Sequence, residues 1–169
     1  MENMKISIDR ATLADSAAVF SMIERIHTEE YRERVSQIAA TLLLDGVMRM
    51  IKSPLAAVFV ARATSKKRVS KVIGAAIVDF RVHPILGFIA WGEYIYVDSA
   101  YRGSDAATLL YRAAEDMARL AGANGFYTEA KPEVKSWLEK KGFTEYNVIM
   151  RKSLIDVAEE VKANGKDSE

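Results

Sequence analysis

The stretch Glu93-Tyr94-Ile95-Tyr96-Val97-Asp98-Ser99-Ala100-Tyr101-Arg102-Gly103-Ser104-Asp105-Ala106-Ala107-Thr108-Leu109-Leu110 changes its rule of construction half-way along. Up to Asp98 it is rich in aromatic and β-branched residues, which suit a strand. From Ser104 the apolar residues recur at helical spacing through Leu109, Leu110, Ala113, Met117 and Leu120 or Ala121, until Gly122 and Asn124-Gly125 close the run. Between them lies a tight turn at Arg102-Gly103. This order places a helix N-terminus at the end of a strand, where the first backbone N–H groups have no partner inside the helix and sit at the positive end of its dipole. Small residues at Gly103, Ser104, Ala106 and Ala107 let a phosphate approach the backbone, and Arg102 adds a full positive charge. The residues alone support two readings about equally: a site for a phosphate-bearing cofactor, or a plain strand–turn–helix whose small residues ease packing.

Working outward, Gly87–Asp98 reads as the entering strand and Phe126–Glu129 as a short strand beyond the helix. Only this pair can be parallel by so short a connection, and such a crossover is right-handed. Pro132 sits where a helix's first turn tolerates it; that helix carries Val134, Trp137 and Leu138 inward and stops at Gly142. Phe143–Arg151 reads as a last strand and Ser153–Ala163 as a short, weakly amphipathic helix. Upstream, Leu55–Ala63 and Val69–Arg81 form an antiparallel hairpin with a basic tip, Thr64-Ser65-Lys66-Lys67-Arg68. Two helices precede it. One is capped by Asp15 and carries Ala18, Val19, Met22, Ile23 and Ile26 in register. After a charged connector at Thr28–Arg34, the other runs from about Val35 to Lys52, with Ile38, Ala39, Leu42, Leu43, Val47 and Met50 inward, and Ser53-Pro54 ends it. Lys5–Arg10 alternates as a half-buried strand. The order β-α-α-β-β-β-α-β-α-β predicts an α/β (α+β) three-layer domain, a mixed and mostly antiparallel sheet with helices on both faces.

The 169 residues suffice for one domain. Half are apolar and 28% charged, which excludes disordered, collagen-like and coiled-coil chains. No charge-free stretch approaches the ~20 residues of a membrane helix. No basic-then-apolar leader precedes Met4–Ile8, so the expected location is cytoplasmic. With no cysteine there is no disulfide scaffold, thiolate nucleophile or cysteine-bound metal. Twenty-four Lys and Arg against 23 Asp and Glu leave +1, no global field for nucleic acid or an anionic membrane.

Tyr96-Val97-Asp98-Ser99-Ala100-Tyr101-Arg102-Gly103-Ser104-Asp105-Ala106-Ala107 resembles the acetyl-CoA signature of the GNAT family of N-acetyltransferases, roughly Tyr-Val-Asp-Pro-x-Tyr-Arg-Gly-x-Gly-x-Gly/Ala. Asp9-Arg10-Ala11-Thr12-Leu13-Ala14-Asp15 is similar to the family's first strand–helix junction. Trp137-Leu138-Glu139-Lys140-Lys141-Gly142-Phe143 looks like its Tyr-Glu-Lys-x-Gly-Phe run. The resemblance implies an acetyltransferase-like domain over residues 1–153, followed by a short C-terminal helix and polar tail over 154–169. It implies that backbone groups of Ile95, Tyr96 and Val97 pair with the pantetheine arm of acetyl-CoA. The amides of Arg102, Gly103, Ser104, Asp105, Ala106 and Ala107, with Thr108, would hold the pyrophosphate. Glu93 would be the general base, since an amine of pKa near 10 must lose a proton before attacking a thioester. The implied reaction is direct transfer of the acetyl group to a primary amine, with no metal and no covalent enzyme intermediate.

Three positions depart from the family's pattern. Asp105 replaces its central glycine; at ~6 Å and an effective dielectric of ~20, one like-charge pair costs about 3 kcal/mol before screening, unless the side chain turns to solvent. Leu138 stands where a tyrosine commonly protonates the departing thiolate, and Lys131 replaces a frequent asparagine. The general acid is thus unassigned; Tyr127 and Tyr146 are substitutes, though each reads better as a packed aromatic. His27 and His83 lack metal-ligand spacing. The basic Arg62, Lys66, Lys67, Arg68 and Lys71 could meet the 3′-phosphate of CoA or nucleic acid, but a solvated hairpin tip is the better reading. Glu29, Glu30 and Glu33 suit either a cationic acceptor or a hydrophilic loop, in a region that shapes the acceptor site of the resembled family. Met22, Met48, Met50, Trp91 and Trp137 read as core. The reading favoured is an N-acetyltransferase for a small-molecule or peptide amine, without nucleic acid or membrane, and with a homodimer compatible. The alternative is a degenerate acetyltransferase fold that no longer binds CoA and serves as a protein-interaction module; a nucleic-acid-binding domain using the Arg62–Lys71 tip stands third.

Overall fold

The central strands owe their position to sequence that is apolar on both sides, so each must be covered on both faces. The structure, a computed structural model, describes residues 4–31, 37–65, 70–130 and 132–146. Strands β1 (Lys5–Arg10), β2 (Ala56–Thr64), β3 (Ser70–His83), β4 (Gly87–Val97) and β5 (Phe126–Thr128) lie side by side in that order. The first four pair antiparallel, and β4 pairs parallel with β5. The helices are α1 (Ser16–Ile26), α2 (Gln37–Lys52), α3 (Ala106–Leu120) and α4 (Pro132–Glu139). The chain divides into two units at Glu129/Ala130. The first holds the sheet and α1 to α3; the second holds α4.

On one face Val19, Met22, Ile23 and Ile26 of α1 and Val47 of α2 pack on Val58, Val60, Ala75, Ile77 and Tyr96. On the other, Ala106 and Leu110 of α3 pack on Ala61, Ala63, Ile73, Ala76 and Val97, and Ala114 and Ala118 on Ala57, Val78, Phe80 and Ala90. Alternate residues of β2 feed opposite faces, so the expected three-layer arrangement is present.

Several expectations for individual residues need correction. The buried side of α3 is Ala106, Leu110, Tyr111, Ala114 and Ala118, while Leu120 is 81% exposed. Of the expected Leu109, Leu110, Ala113, Met117 and Leu120 or Ala121, Leu110 is fully buried and Met117 and Ala121 pack partly against the core, whereas Leu120 points outward. Packing favours the alanines, whose small side chains let the helix axis approach the sheet. Leu42 in α2 and Val134 in α4 are likewise exposed. Asp15 does not cap α1 with its side chain. A single 3-10 turn, Leu13–Asp15, intervenes, and the buried Asp15 carboxylate accepts from the Thr12 amide (2.9 Å), the Thr12 hydroxyl (3.0 Å) and Arg62 (2.7 Å). Burial works to raise its pKa, but these hydrogen bonds and the Arg62 charge outweigh burial and hold it below the ordinary value. The charged connector continues α1 as a π-helical turn, His27–Tyr31.

Of the expected last strand, Phe143–Tyr146 carry no strand. Gly142, at φ 90°, closes α4 by donating to the Glu139 carbonyl (2.9 Å). Residues 147–151, the expected helix at 153–163, the tail, Glu33, Lys66–Arg68 and Lys131 lie outside the described residues.

Candidate functional site

Two register shifts shape the sheet's middle. Between β2 and β3 the pairing passes from Ala61↔Gly74 to Arg62↔Val72, leaving Ile73 as the extra residue. Its carbonyl accepts from the Asp98 amide at 2.8 Å. Between β3 and β4 the pairing passes from Ile77↔Tyr94 to Val78↔Gly92, and the extra residue is Glu93. Such a bulge bends its strand and re-aims its side chain. Here it coincides with the end of β5, which pairs only with Ala90–Gly92, where the Thr128 hydroxyl donates to the Gly92 carbonyl at 2.9 Å. From Ile95 to Val97, β4 pairs with β3 alone among the described residues, so its other backbone edge has no strand partner among them.

Beyond Val97 the chain turns tightly. The Asp98 carboxylate accepts from the Ala100 amide (3.1 Å) and its carbonyl from the Tyr101 amide (2.8 Å). Gly103 adopts φ 86°, in the left-handed region that favours glycine. The amides of Arg102, Ser104 and Ala106 are used within the turn, by Ser99 O, Tyr101 O and Ser104 Oγ. Those of Gly103, Asp105, Ala107 and Thr108 have no partner among the described residues. Asp105 is exposed and makes no side-chain cap bond, so its carboxylate stands in solvent.

The Arg102 side chain leans toward α1. It donates to Glu29 (2.6 Å) and to the Val97 carbonyl (3.3 Å), with its guanidinium 5.6 Å from the Tyr96 ring. The Tyr96 hydroxyl donates to the same Glu29 carboxylate (3.0 Å), and Arg25 pairs with Asp98 at 2.8 Å. Arg102's hydrogen bond is the main cause holding Glu29 below the usual carboxylate range, and burial followed by Glu29 pushes Tyr96 up. The expected cosubstrate residues are thus brought to one end of β4, with Arg102's charge shared with Glu29.

Glu93 is half-buried and bonds Arg81 at 2.5 Å. Arg81 also donates to Asp79 (2.9 Å) and lies 5.0 Å from the Trp91 ring, which stacks with Tyr127 at 6.5 Å. Sequence reasoning missed Arg25, Asp79 and Arg81, and it quoted Asp98 within the signature without its pairing to Arg25. Asp79 and Arg81 had a signal: two charges at alternate positions of an otherwise apolar strand. Arg25 with Asp98 had none, being 73 residues apart.

The remaining candidates are placed as follows. Arg62 is paired with Asp9 (3.2 Å) and Asp15, which makes it structural, and Lys71 sits over the Tyr101 ring. His83 Nδ1 accepts from the Ile85 and Leu86 amides (both 3.2 Å), closing the β3–β4 turn. Trp91 is half-buried between Arg81 and Tyr127 instead of in the core. In the second unit Leu138 is buried and Tyr146 exposed, and Lys141 sits over Trp137. Among the described residues no three His, Asp or Glu gather as metal ligands, and no helix is long and apolar enough to cross a membrane.

At one end of β4, the segment beyond β5, the amides of Gly103, Asp105, Ala107 and Thr108 and the Glu93 carboxylate on its bulge therefore lie along one continuous stretch of chain. Residues 20–143 match the acetyltransferase (GNAT) family, and the chain belongs to that family. No curated protein sequence matches it. It is similar in fold to a Clostridium acetobutylicum protein, described as an acetyltransferase by prediction and solved with acetyl-CoA (17% identity, TM-score 0.75, covering 89% of this chain and 97% of that one). Similar too are an aminoglycoside N-acetyltransferase in complex with CoA (17%, 0.69, 91% and 98%) and glucosamine-6-phosphate N-acetyltransferase from Arabidopsis thaliana (14%, 0.68, 89% and 99%).

Proposed function

We propose that the protein transfers the acetyl group of acetyl-CoA directly to a primary amine of a small molecule or peptide. The observation that carries this reading is that β4 outruns β5, so Ile95, Tyr96 and Val97 offer an unpaired edge leading to the open amides of Gly103, Asp105, Ala107 and Thr108. The pantetheine arm carries amides that can pair with a strand edge, and a pyrophosphate suits a helix head. The acetyl-CoA and CoA bound to two fold neighbours support the same reading.

Acetyl-CoA supplies an acyl thioester; the chain's own groups prepare the amine. Glu93 takes the ammonium proton, directly or through one water, on the oxygen that Arg81 leaves free. The neutral nitrogen then attacks the carbonyl carbon; as the tetrahedral adduct collapses and the C–S bond breaks, the nitrogen gives up its second proton to solvent, leaving the amide and the CoA thiolate. Solvent protonates the departing thiolate. Arg81, held by Asp79 and lying on Trp91, keeps the Glu93 carboxylate in place. The acceptor is left open: the two named neighbours of similar TM-score act, by name, on unlike amines.

The test is calorimetric titration with acetyl-CoA for the wild type and Asp105→Gly, followed by a thiol-release assay on a panel of amines with Glu93→Gln as control. The expected result is micromolar binding by the wild type and tighter binding by Asp105→Gly. Amine-dependent thiol release should fall at least ~100-fold in Glu93→Gln. Binding by the glycine variant alone would mean one carboxylate has closed the site in this chain, and silence from both would remove the cosubstrate.

A further inference from the structure

Glu29 has no part in the chemistry above, yet its carboxylate meets two groups at the end of β4, the Arg102 guanidinium at 2.6 Å and the Tyr96 hydroxyl at 3.0 Å. Arg102 is the cation nearest in sequence to the open amides of Gly103, Asp105, Ala107 and Thr108, and its side chain is about half exposed. A long side chain on an exposed turn can swing, and guanidinium binds phosphate as readily as carboxylate. We infer that Glu29 sets the affinity of the cosubstrate site by competing with the phosphoryl oxygens for Arg102: the donor binds by taking this guanidinium from Glu29.

The exchange costs little, for a reason visible in the surroundings. When Arg102 leaves, Glu29 keeps the Tyr96 hydroxyl, and Arg25 lies close enough to help hold it acidic. Arg25 is itself fixed by Asp98, on the same turn that presents the amides. No buried charge is stranded, since Glu29 is exposed. The idea rests on the acetyl-CoA reading, and it makes Glu29 an affinity-setting residue that touches no substrate.

The experiment is calorimetry of the wild type, Glu29→Gln, Arg102→Met and the double variant, each with CoA, dephospho-CoA and pantetheine; thermal unfolding confirms that each variant folds, and Glu29→Ala serves as a second variant. Glu29→Gln should bind CoA and dephospho-CoA about three- to fivefold more tightly, the size expected for releasing an exposed ion pair. Its affinity for pantetheine, which has no phosphate, should not change. In the Arg102→Met background the same substitution should do nothing. Unchanged or weaker CoA binding by Glu29→Gln, or an equal gain for pantetheine, overturns the competition while the donor reading stands. A wild type that binds no CoA overturns both.

Discussion

At Ala90–Gly92, β4 lies between β3 and β5, and from Ile95 to Val97 it pairs with β3 alone among the described residues. Residues of both segments are packed through their side chains: Ala90 is 0% exposed, and Tyr96 and Val97 only 5% and 9%. At Tyr96 and Val97 the openness is therefore on the backbone edge, while the Ile95 side chain between Tyr94 and Tyr96 is exposed. Helices cover both faces, α1 and α2 against Tyr96 and α3 against Val97, so the edge can stay unpaired while the strand stays rigid. A binding edge of this kind has little ordering cost on ligand capture, because the strand is already fixed.

Removing the support beneath the open segment should have the largest effect. Leu110 is fully buried among Ile73, Ala76 and Val97. Leu110→Ala should cost about 2–5 kcal/mol, read by urea denaturation. A loss below ~1 kcal/mol would mean that α3 does not brace this segment.

A paired test of two glycines sharpens the comparison. A Cβ on Gly74 would stand 2.8 Å from the Tyr96 carbonyl oxygen, whereas one on Gly92 would stand 3.0 Å from an edge carbon of the Phe126 ring. Backbone cannot yield as a ring can. Gly74→Ala should therefore cost about 1–3 kcal/mol and weaken acetyl-CoA binding severalfold. Gly92→Ala should cost less and leave donor affinity within about twofold. Equal losses of affinity would break the distinction between the segments.

The smallest effect is expected at Asp15, away from both. Its folded pKa lies below the ordinary 3.8, so the stability it adds is fully present above that value and is lost as pH falls through the folded one. Acid titration of stability should show this loss, on the order of 1 kcal/mol, in the wild type and not in Asp15→Asn, with donor affinity at neutral pH unchanged.

Much of the fold was legible because its signals are local. Period, turn residues and the helix start after Ser104 all lie within a few residues of what they determine. They predicted β1 to β5, the hairpin, the parallel β4–β5 pair and the turn that carries the open amides, but a last strand that begins at Phe143 is not borne out at Phe143–Tyr146. The helical period places Leu110 inside and Met117 and Ala121 against the core, but it does not single out Ala114 and Ala118 as fully buried, because neighbouring stripes share the period and the choice among them depends on how close a sheet comes. Arg102 was read as free cationic charge, and nothing near it in sequence announces Glu29, 73 residues away.

By itself the sequence determined the order of elements from β1 to α4, the strand–turn–helix and the residue types around it, since each follows from backbone preferences and near-neighbour spacing. Tertiary structure alone decided that Glu93 is the residue left over between two registers, that β5 stops at Gly92's partner, and that Arg25, Glu29, Tyr96, Asp98 and Arg102 meet at one strand end. Register and ion pairing are settled by side chains far apart in the chain competing for the same space and the same charge, and no local pattern records the outcome.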